Sequence, residues 1–353
     1  MNILVIGNGF DIAHGLNTSY ADFLEFVRSI KNPGSSNDEL NKCINNNRWL
    51  DYFDSIFEER KNEGKDGWID FESEISTVIK ALDRALLSYY NYLNNPDYKG
   101  LKAVVMDKNA FEILNKVLSI DTGKSFSREK SIYIKQIKKW KQILLDDLNR
   151  LTRGLEIYLL KYLNEGKTDC LPIVVKIQAD YVISFNYTKT YEKLYSKPSE
   201  IDYIHGVIKK ESDIESNNMV LGIGEFILND RRDYDNEFIE FKKFYQRIYK
   251  NTGSKYKEWL KEFEANQNLK CFNSPGQPYN ELNIHFYGHS LDPTDGDILR
   301  DLIGSKYANI SIYYHNKEAL SKQIANLVRV IGEERTIELT DMSEGRIKFI
   351  PCV

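Results

Sequence analysis

Cysteine is scarce and scattered. Cys43, Cys170, Cys271 and Cys352 lie far apart in 353 residues, and no two have CxxC spacing. This excludes the paired-cysteine signature of a structural zinc module. Long apolar runs are also missing. The first, Ile3 to Ile6, is far short of the roughly 18–20 residues of a membrane span, and no basic n-region with a cleavage site accompanies it. Neither sign of charge dominates: 48 basic residues face 52 acidic ones, so the balance asks for no nucleic-acid partner. These absences together predict a soluble cytoplasmic protein with reduced thiols and no membrane partner.

What is present is a chain large enough to bury a sizeable core, as one domain with insertions or as two. Asn2 to Ile6 reads as a buried strand closed by glycine, and Thr18 to Val27 as a helix capped by Thr18 or Ser19. From about Ser35 to Leu163 the apolar positions recur three and four apart, which predicts a long helical region; Ile132 to Leu163 should form one long helix or two. Six short β-rich runs then follow: IVVKI from Ile173, DYVISFN, IDYIHG, MVLGIG, NIHFYGHS and ISIYYHN. A second helical insert, about Asp233 to Glu264, separates the fourth run from the fifth. PTDGDILRDLIG and KEALSKQIANLVRVIG read as helices after the fifth and sixth.

Apolar strands alternating with helices predict an α/β fold, a Rossmann-like parallel sheet with large α-helical insertions. Ligands of such sheets bind at the carboxyl ends of the strands. Four polar or glycine clusters fall there: Gly7-Asn8-Gly9, Asn186, His205-Gly206 and Gly288-His289-Ser290.

Each cluster has two readings. Gly7-Asn8-Gly9 before a helix suits a phosphate, because bare amides and the helix dipole favour an anion; it also suits a tight turn. The GxGxxG fingerprint is incomplete, since Ile12 stands at the third glycine, and no GK[ST] makes a P-loop. Asn186 can bond a ribose or a water, or cap the TKTYEKLY helix. His205 suits general-base work because its ordinary pKa lies near neutrality; His14, His285 and His315 read as structural. Ser290 has Gly288 two residues before it, but Asp292 stands where the second glycine of a nucleophile elbow would be. Asp292 and Asp295 read as acidic residues starting a helix. In WIDFESEI, Asp70 and Glu74 would share a helix face while Asp70 and Glu72 would not. The reading there is a helix start, with a catalytic carboxylate pair as the alternative.

The order of these clusters resembles the NAD-binding core of the sirtuin-like superfamily. Gly7-Asn8-Gly9 is similar to its GAG loop, Asn186 to the asparagine of QNID, His205-Gly206 to its HG general base, and Gly288-His289-Ser290-Leu291 to GTSL. A more specific resemblance is to the AbiH-type abortive infection family of bacteria. It is carried by IGNGFDIAHGLNTSYADFL, by Trp68, Asp70 and Glu72, by SFNYT and IHG, and by Gly288 to Asp295. The chain lacks the zinc module of deacetylases, and Asp11 stands near the position of the sirtuin serine.

The resemblances imply a discontinuous sirtuin-like core, residues 1–30 and 174–353, with helical insertions at 31–173 and 226–268. They imply an antiphage protein that cleaves NAD to nicotinamide and ADP-ribose. Gly7, Asn8 and Gly9 would then hold the phosphates, joined in the cofactor site by Phe10, Asp11, Gly288, His289, Ser290 and Asp295. Asn186 would fix the nicotinamide ribose or a water, His205 would take a proton, and Ser290 would bond the adenosine half. No metal is expected. A phage-derived trigger and a homo-oligomer are expected partners, with the inserts gating the site or carrying those surfaces. The alternatives are a sensor that binds NAD or a related nucleotide without cleaving it, and a metal-dependent nuclease-like toxin using Asp70 and Glu72.

Overall fold

The computed structural model describes residues 1–30, 38–64, 69–95, 103–120, 127–164, 166–167, 169–224, 236–273 and 280–352. Trp68 and the starts of both insertions at 31 and 226 lie outside the described residues.

The first strand, β1 (Asn2–Ile6), is buried from Ile3 to Ile6. A short helix follows, α1 (Asn8–Ala13), then α2 (Tyr20–Ile30). Ser19 opens α2: its hydroxyl accepts from Asp22 N, and the Asp22 carboxylate accepts in return from Ser19 N. The helical region comprises α3 (Asp38–Ile44), α4 (Arg48–Asn62), α5 (Phe71–Asn94), α6 (Lys108–Leu118) and α7 (Lys130–Lys161), with a two-residue pair β2 (Val104–Val105) and β3 (Ser127–Arg128). The run ending at Leu163 is one helix, α7. These helices share an apolar core that includes Phe23 and Val27 of α2 and also Met219, Leu221 and Phe241. The first insertion is therefore packed onto residues from both sides of it in the chain.

The sheet resumes with α8 (Pro172–Ile177), β4 (Tyr181–Ser184), α9 (Thr190–Leu194) and β5 (Glu200–Tyr203). After it come α10 (Lys243–Lys250), α11 (Tyr256–Asn273), β6 (Leu282–Tyr287), α12 (Gly296–Gly304), β7 (Ala308–Tyr314), α13 (Lys317–Ile331), α14 (Glu333–Leu339) and β8 (Ile347–Pro351). Six strands form one sheet in the order β5-β4-β1-β6-β7-β8, and every neighbouring pair is parallel. Counted along the chain within that sheet, the order is 3-2-1-4-5-6, that of doubly wound nucleotide-binding sheets. β1 is central, and the order reverses beside it, between β4 and β6. Such a reversal opens a crevice at the carboxyl ends.

Both faces are covered, which is why the strands are nearly all apolar. One face packs under Tyr256, Trp259, Leu299 and Leu327. The other packs under Phe10, Val174, Ile177 and Tyr191.

Two expected strands are absent from this sheet. IVVKI is the helix α8, with Pro172 in its first turn and Val174 and Ile177 buried three residues apart. Its apolar run is too short for periodicity to separate one helical turn from a strand. MVLGIG joins no strand of the sheet; Val220 N donates to His205 O and Ile223 N to Phe241 O. Its glycines instead admit other backbone, since a Cβ on Gly222 would lie 2.4 Å from Phe241 O. β8 is not marked in the sequence, because an edge strand with little of its surface buried carries a weak apolar signal.

Candidate functional site

Beside β1 a cavity of about 460 Å³ opens at the carboxyl ends of β1, β4 and β6. All four strand-end clusters reach it: Gly7 to Gly9, Asn186, His205 and Gly288 to Ser290 line its wall. The convergence follows from parallel pairing in register, Ile6 with Ser184 and with Tyr287, which brings the three chain ends level.

The glycine turn is packed against the end of β6. Gly7 N donates to Tyr287 O (3.2 Å) and Gly9 N to Gly288 O (2.9 Å), so two of its amides are spent inside the protein. A Cβ on Gly9 would sit 2.8 Å from Gly288 Cα, and one on Gly7 would sit 2.8 Å from Gly288 O. Glycine is required here so that one backbone can touch another. Phe10 is also placed away from the cavity, fully buried among His14, Tyr191, Tyr195 and Tyr287. Gly9→Val is therefore expected to destabilise the fold by at least the roughly 1–3 kcal/mol of an overpacked core, read as a lower thermal midpoint. A midpoint equal to the parent's, with nucleotide binding abolished, would restore the phosphate reading.

Asn186 does not cap α9. The N-cap there is Lys189, which makes no side-chain cap bond. The Asn186 amide nitrogen is buried without a hydrogen bond, as is Asp11 Oδ1. Asp11 Oδ2 accepts from Thr188 Oγ1 at 2.5 Å, and Thr190 Oγ1 donates to Thr188 Oγ1 at 3.0 Å.

His205 ends the β5 segment, and Gly206 after it has φ +76°. The ring stands edge-on to Phe185. Its Nε2 lies 3.0 Å from Asp295 Oδ1, at ion-pair distance but off hydrogen-bond alignment, and Nδ1 has no hydrogen bond. Asp295 thus starts a helix, as expected, but its carboxylate faces the histidine. Lys243, from the second insertion, reaches Asp295 Oδ1 at 2.8 Å and Glu72 Oε2 at 2.6 Å. Thr294 Oγ1 donates to Glu72 Oε2 at 3.0 Å. His289 Nε2 faces Asp295 Oδ2 at 4.0 Å, while its Nδ1 accepts from Leu291 N.

The site therefore unites the core with both insertions. Asp70 caps α5 by accepting from Glu72 N and Ser73 N. As a cap it lies outside the helical period, so the facing rule within helices does not govern it. Glu72 turns to the cavity beside Asp70, and Glu74 turns away to Arg60 and Tyr52. His315, read as structural, lines the cavity as well. His14 is structural, bonded to Phe10 O and Tyr195 OH.

Charge in this cluster is set by burial and by Lys243. Burial pushes Asp295 up, but Lys243 and then His205 outweigh it and hold the carboxyl well below the usual range. Burial pushes Glu72 up, and Lys243 only partly offsets it. Lys243 stays protonated against its own burial because Asp295 and Glu72 flank it. For His205, burial and then the Lys243 charge lower the pKa to about 4, with Asp295 opposing. The ring is thus neutral at pH 7. An ionised Asp295 favours the proton on Nε2, leaving Nδ1 bare to accept another.

Among the described residues no group of three or more His, Cys, Asp or Glu could hold a metal ion. None of their helices is long and apolar enough to cross a membrane.

Fold and site together define an α/β protein with a ligand cavity at the reversal point of a doubly wound parallel sheet. The chain matches the family model described as "Bacteriophage abortive infection AbiH" over residues 3–315, and it belongs to that family. The family assigns it to abortive infection, the defence of bacteria against phage. No curated protein and no solved structure matches it.

Proposed function

We propose that the protein is an abortive-infection enzyme with a sirtuin-like core that cleaves the N-glycosidic bond of NAD, releasing nicotinamide and ADP-ribose. The observation that carries this reading is the His205 ring at the cavity wall, backed by Asp295, with Nδ1 unpartnered. This is the arrangement of a neutral base with a carboxylate beside it.

The chemistry suits the lining. Loss of nicotinamide leaves an oxocarbenium-like ribose, and the leaving group departs neutral from a cationic ring. Asp11, Asp70, Glu72, Asp292 and Asp295 line the cavity, against Lys243 and Lys322. Of these, Asp295 is held ionised by Lys243, and a carboxylate preorganised there favours a transition state that develops positive charge, while burial raises Asp11, Asp70 and Glu72 toward the neutral form. His205 Nδ1 takes the proton from water or from a ribose hydroxyl as the bond to carbon forms. Water adds its oxygen to the ribose carbon and keeps its second proton as the new hydroxyl, nicotinamide leaves with the bonding electron pair, and the proton on His205 then returns to solvent. Asn186 holds the ribose, and the backbone around Ser290 receives the adenosine half.

The test is purified protein mixed with NAD, with and without a chelator, followed by chromatography. Nicotinamide release that survives the chelator supports the proposal. Binding without release supports the sensor reading instead. Loss of activity with chelator supports the metal-dependent toxin, for which Glu72 is an awkward ligand because Lys243 and Thr294 already occupy the same oxygen.

A further inference from the structure

Part of the cavity wall is apolar and comes from helices rather than from strand ends. Ile69, just before α5, and Leu155 and Leu159 of α7 line it, and Tyr20, the first residue of α2, lines it with them. Tyr20 is the last ring of a column. Phe53 stacks on Phe71 with ring centres 4.1 Å apart and planes at 17°, and Phe71 stacks on Tyr20 at 4.3 Å and 9°. Phe53 and Phe71 are fully buried, whereas Tyr20 is half-buried at the cavity. Among the described residues no second ring stacks on Tyr20. Its hydroxyl is bonded to Tyr187, and Tyr187 OH donates to Val220 O at 2.8 Å. The ring is therefore held at one face and at its tip.

A fixed aromatic ring at a cavity wall suits a planar ligand. Planar rings gain from offset stacking beyond the area they bury, and a base of any sequence can use it because every base has a π face. A phosphate gains nothing from such a wall. The position of the slot says which ring would fill it. Glu72 and Asp70 lie near enough to Tyr20 to add to burial and Tyr187 in pushing its hydroxyl pKa up. Glu72 meets Lys243 at 2.6 Å, Lys243 meets Asp295 at 2.8 Å, and Asp295 faces His205 at 3.0 Å. The slot thus adjoins the cluster that holds the proton acceptor. A ring lying there is the one bonded to the ribose carbon under attack.

We infer that Tyr20, with Ile69, Leu155 and Leu159, forms the slot for the departing nicotinamide ring of NAD. The inference rests on the NAD-cleaving reading above and adds the surface that receives the leaving group. It also gives the first insertion a part in the reaction: the sheet supplies the strand ends, and α7 with the start of α5 completes the wall against which the ring stacks.

The experiment is calorimetric titration on a His205→Ala background, which suppresses turnover. The probes are NAD and ADP-ribose, which differ by the nicotinamide ring. NAD should bind roughly 5–150-fold more tightly than ADP-ribose, the value of one base stacked on an aromatic side chain. Adding Tyr20→Leu, which keeps apolar bulk on Phe71 but removes the ring, should weaken NAD by a similar factor and leave ADP-ribose unchanged. Tyr20→Phe, which keeps the ring, should bind both probes like the His205→Ala protein. Equal affinity for the two probes, or no loss of NAD affinity with Tyr20→Leu, overturns the slot while leaving a nucleotide site in place. A Tyr20→Leu loss shared by both probes puts the adenine there and overturns the assignment to nicotinamide. Binding of neither probe overturns both the slot and the proposed function. If Tyr20→Leu fails to fold, the comparison of the two probes on the His205→Ala protein still decides.

Discussion

His205→Ala should slow nicotinamide release by roughly 10²–10⁴-fold while NAD affinity changes little. Proton transfer is needed only in the transition state, so its loss falls on kcat. The ring is buried and neutral, and truncation also removes its packing against Phe185. Some loss of thermal midpoint is therefore expected alongside the loss of rate. Turnover per folded molecule separates the two effects. An unchanged rate in a destabilised protein would remove His205 from the mechanism.

The same residue gives a pH signature. With its pKa lowered to about 4 by burial and by Lys243, His205 stays a competent base down to that pH, and turnover should fall as the pH drops through about 4. In the unfolded chain a histidine titrates near 6.5. Between the two values the unfolded state binds a proton that the folded state does not. This contribution to stability is present above about pH 6.5 and is lost as the pH falls toward 4. His205→Gln should flatten the slope of the thermal midpoint across that window, and an identical slope would contradict the buried neutral ring.

The second large effect is expected at Lys243. The ammonium is 2% exposed and holds Glu72 and Asp295 together. Lys243→Met keeps the bulk and removes the charge, leaving buried carboxylates without their cation. Breaking a buried pair in this way costs roughly 3–5 kcal/mol. The loss should appear in denaturant midpoints, and Asp295→Asn added to Lys243→Met should recover part of it, because the acid that Lys243 holds ionised is then neutral. A loss below about 1 kcal/mol, or strict additivity of the two changes, would mean that the cluster is not a coupled unit.

The sequence made the site legible through order rather than through any one motif. Gly7-Asn8-Gly9, Asn186, His205 and Gly288-His289-Ser290 each end an apolar run, and the strand-end rule brings such ends together. Parallel pairing of β1 with β4 and β6 does so here. The roles within that edge were harder to read. Gly9 answers to Gly288 across the turn, a contact between residues hundreds of positions apart that no local pattern signals. Phe10 sits one residue from Asp11 but faces the opposite way, into the aromatic core.

Nothing in the sequence marks Lys243. It is the second of two adjacent lysines in a charged amphipathic run, where a solvated face is the ordinary reading. Its neighbour Lys242 is also buried but reaches none of the cavity. Only the docking of α10 against Gly222 to Gly224 and Thr294 sends the Lys243 ammonium inward. Glu72 reads as part of a helix start, and it lies in the first turn of α5. Its turn toward the cavity depends on Lys243 and Thr294, which belong to other parts of the chain.

The most direct measurement is the identity of the products after NAD is incubated with the purified protein, separated by liquid chromatography and weighed by mass spectrometry. Cleavage at the N-glycosidic bond predicts nicotinamide and ADP-ribose in equal amounts, formed by the parent and nearly absent with His205→Ala. Intact NAD under all conditions, or nicotinamide mononucleotide with AMP in place of those products, would contradict it.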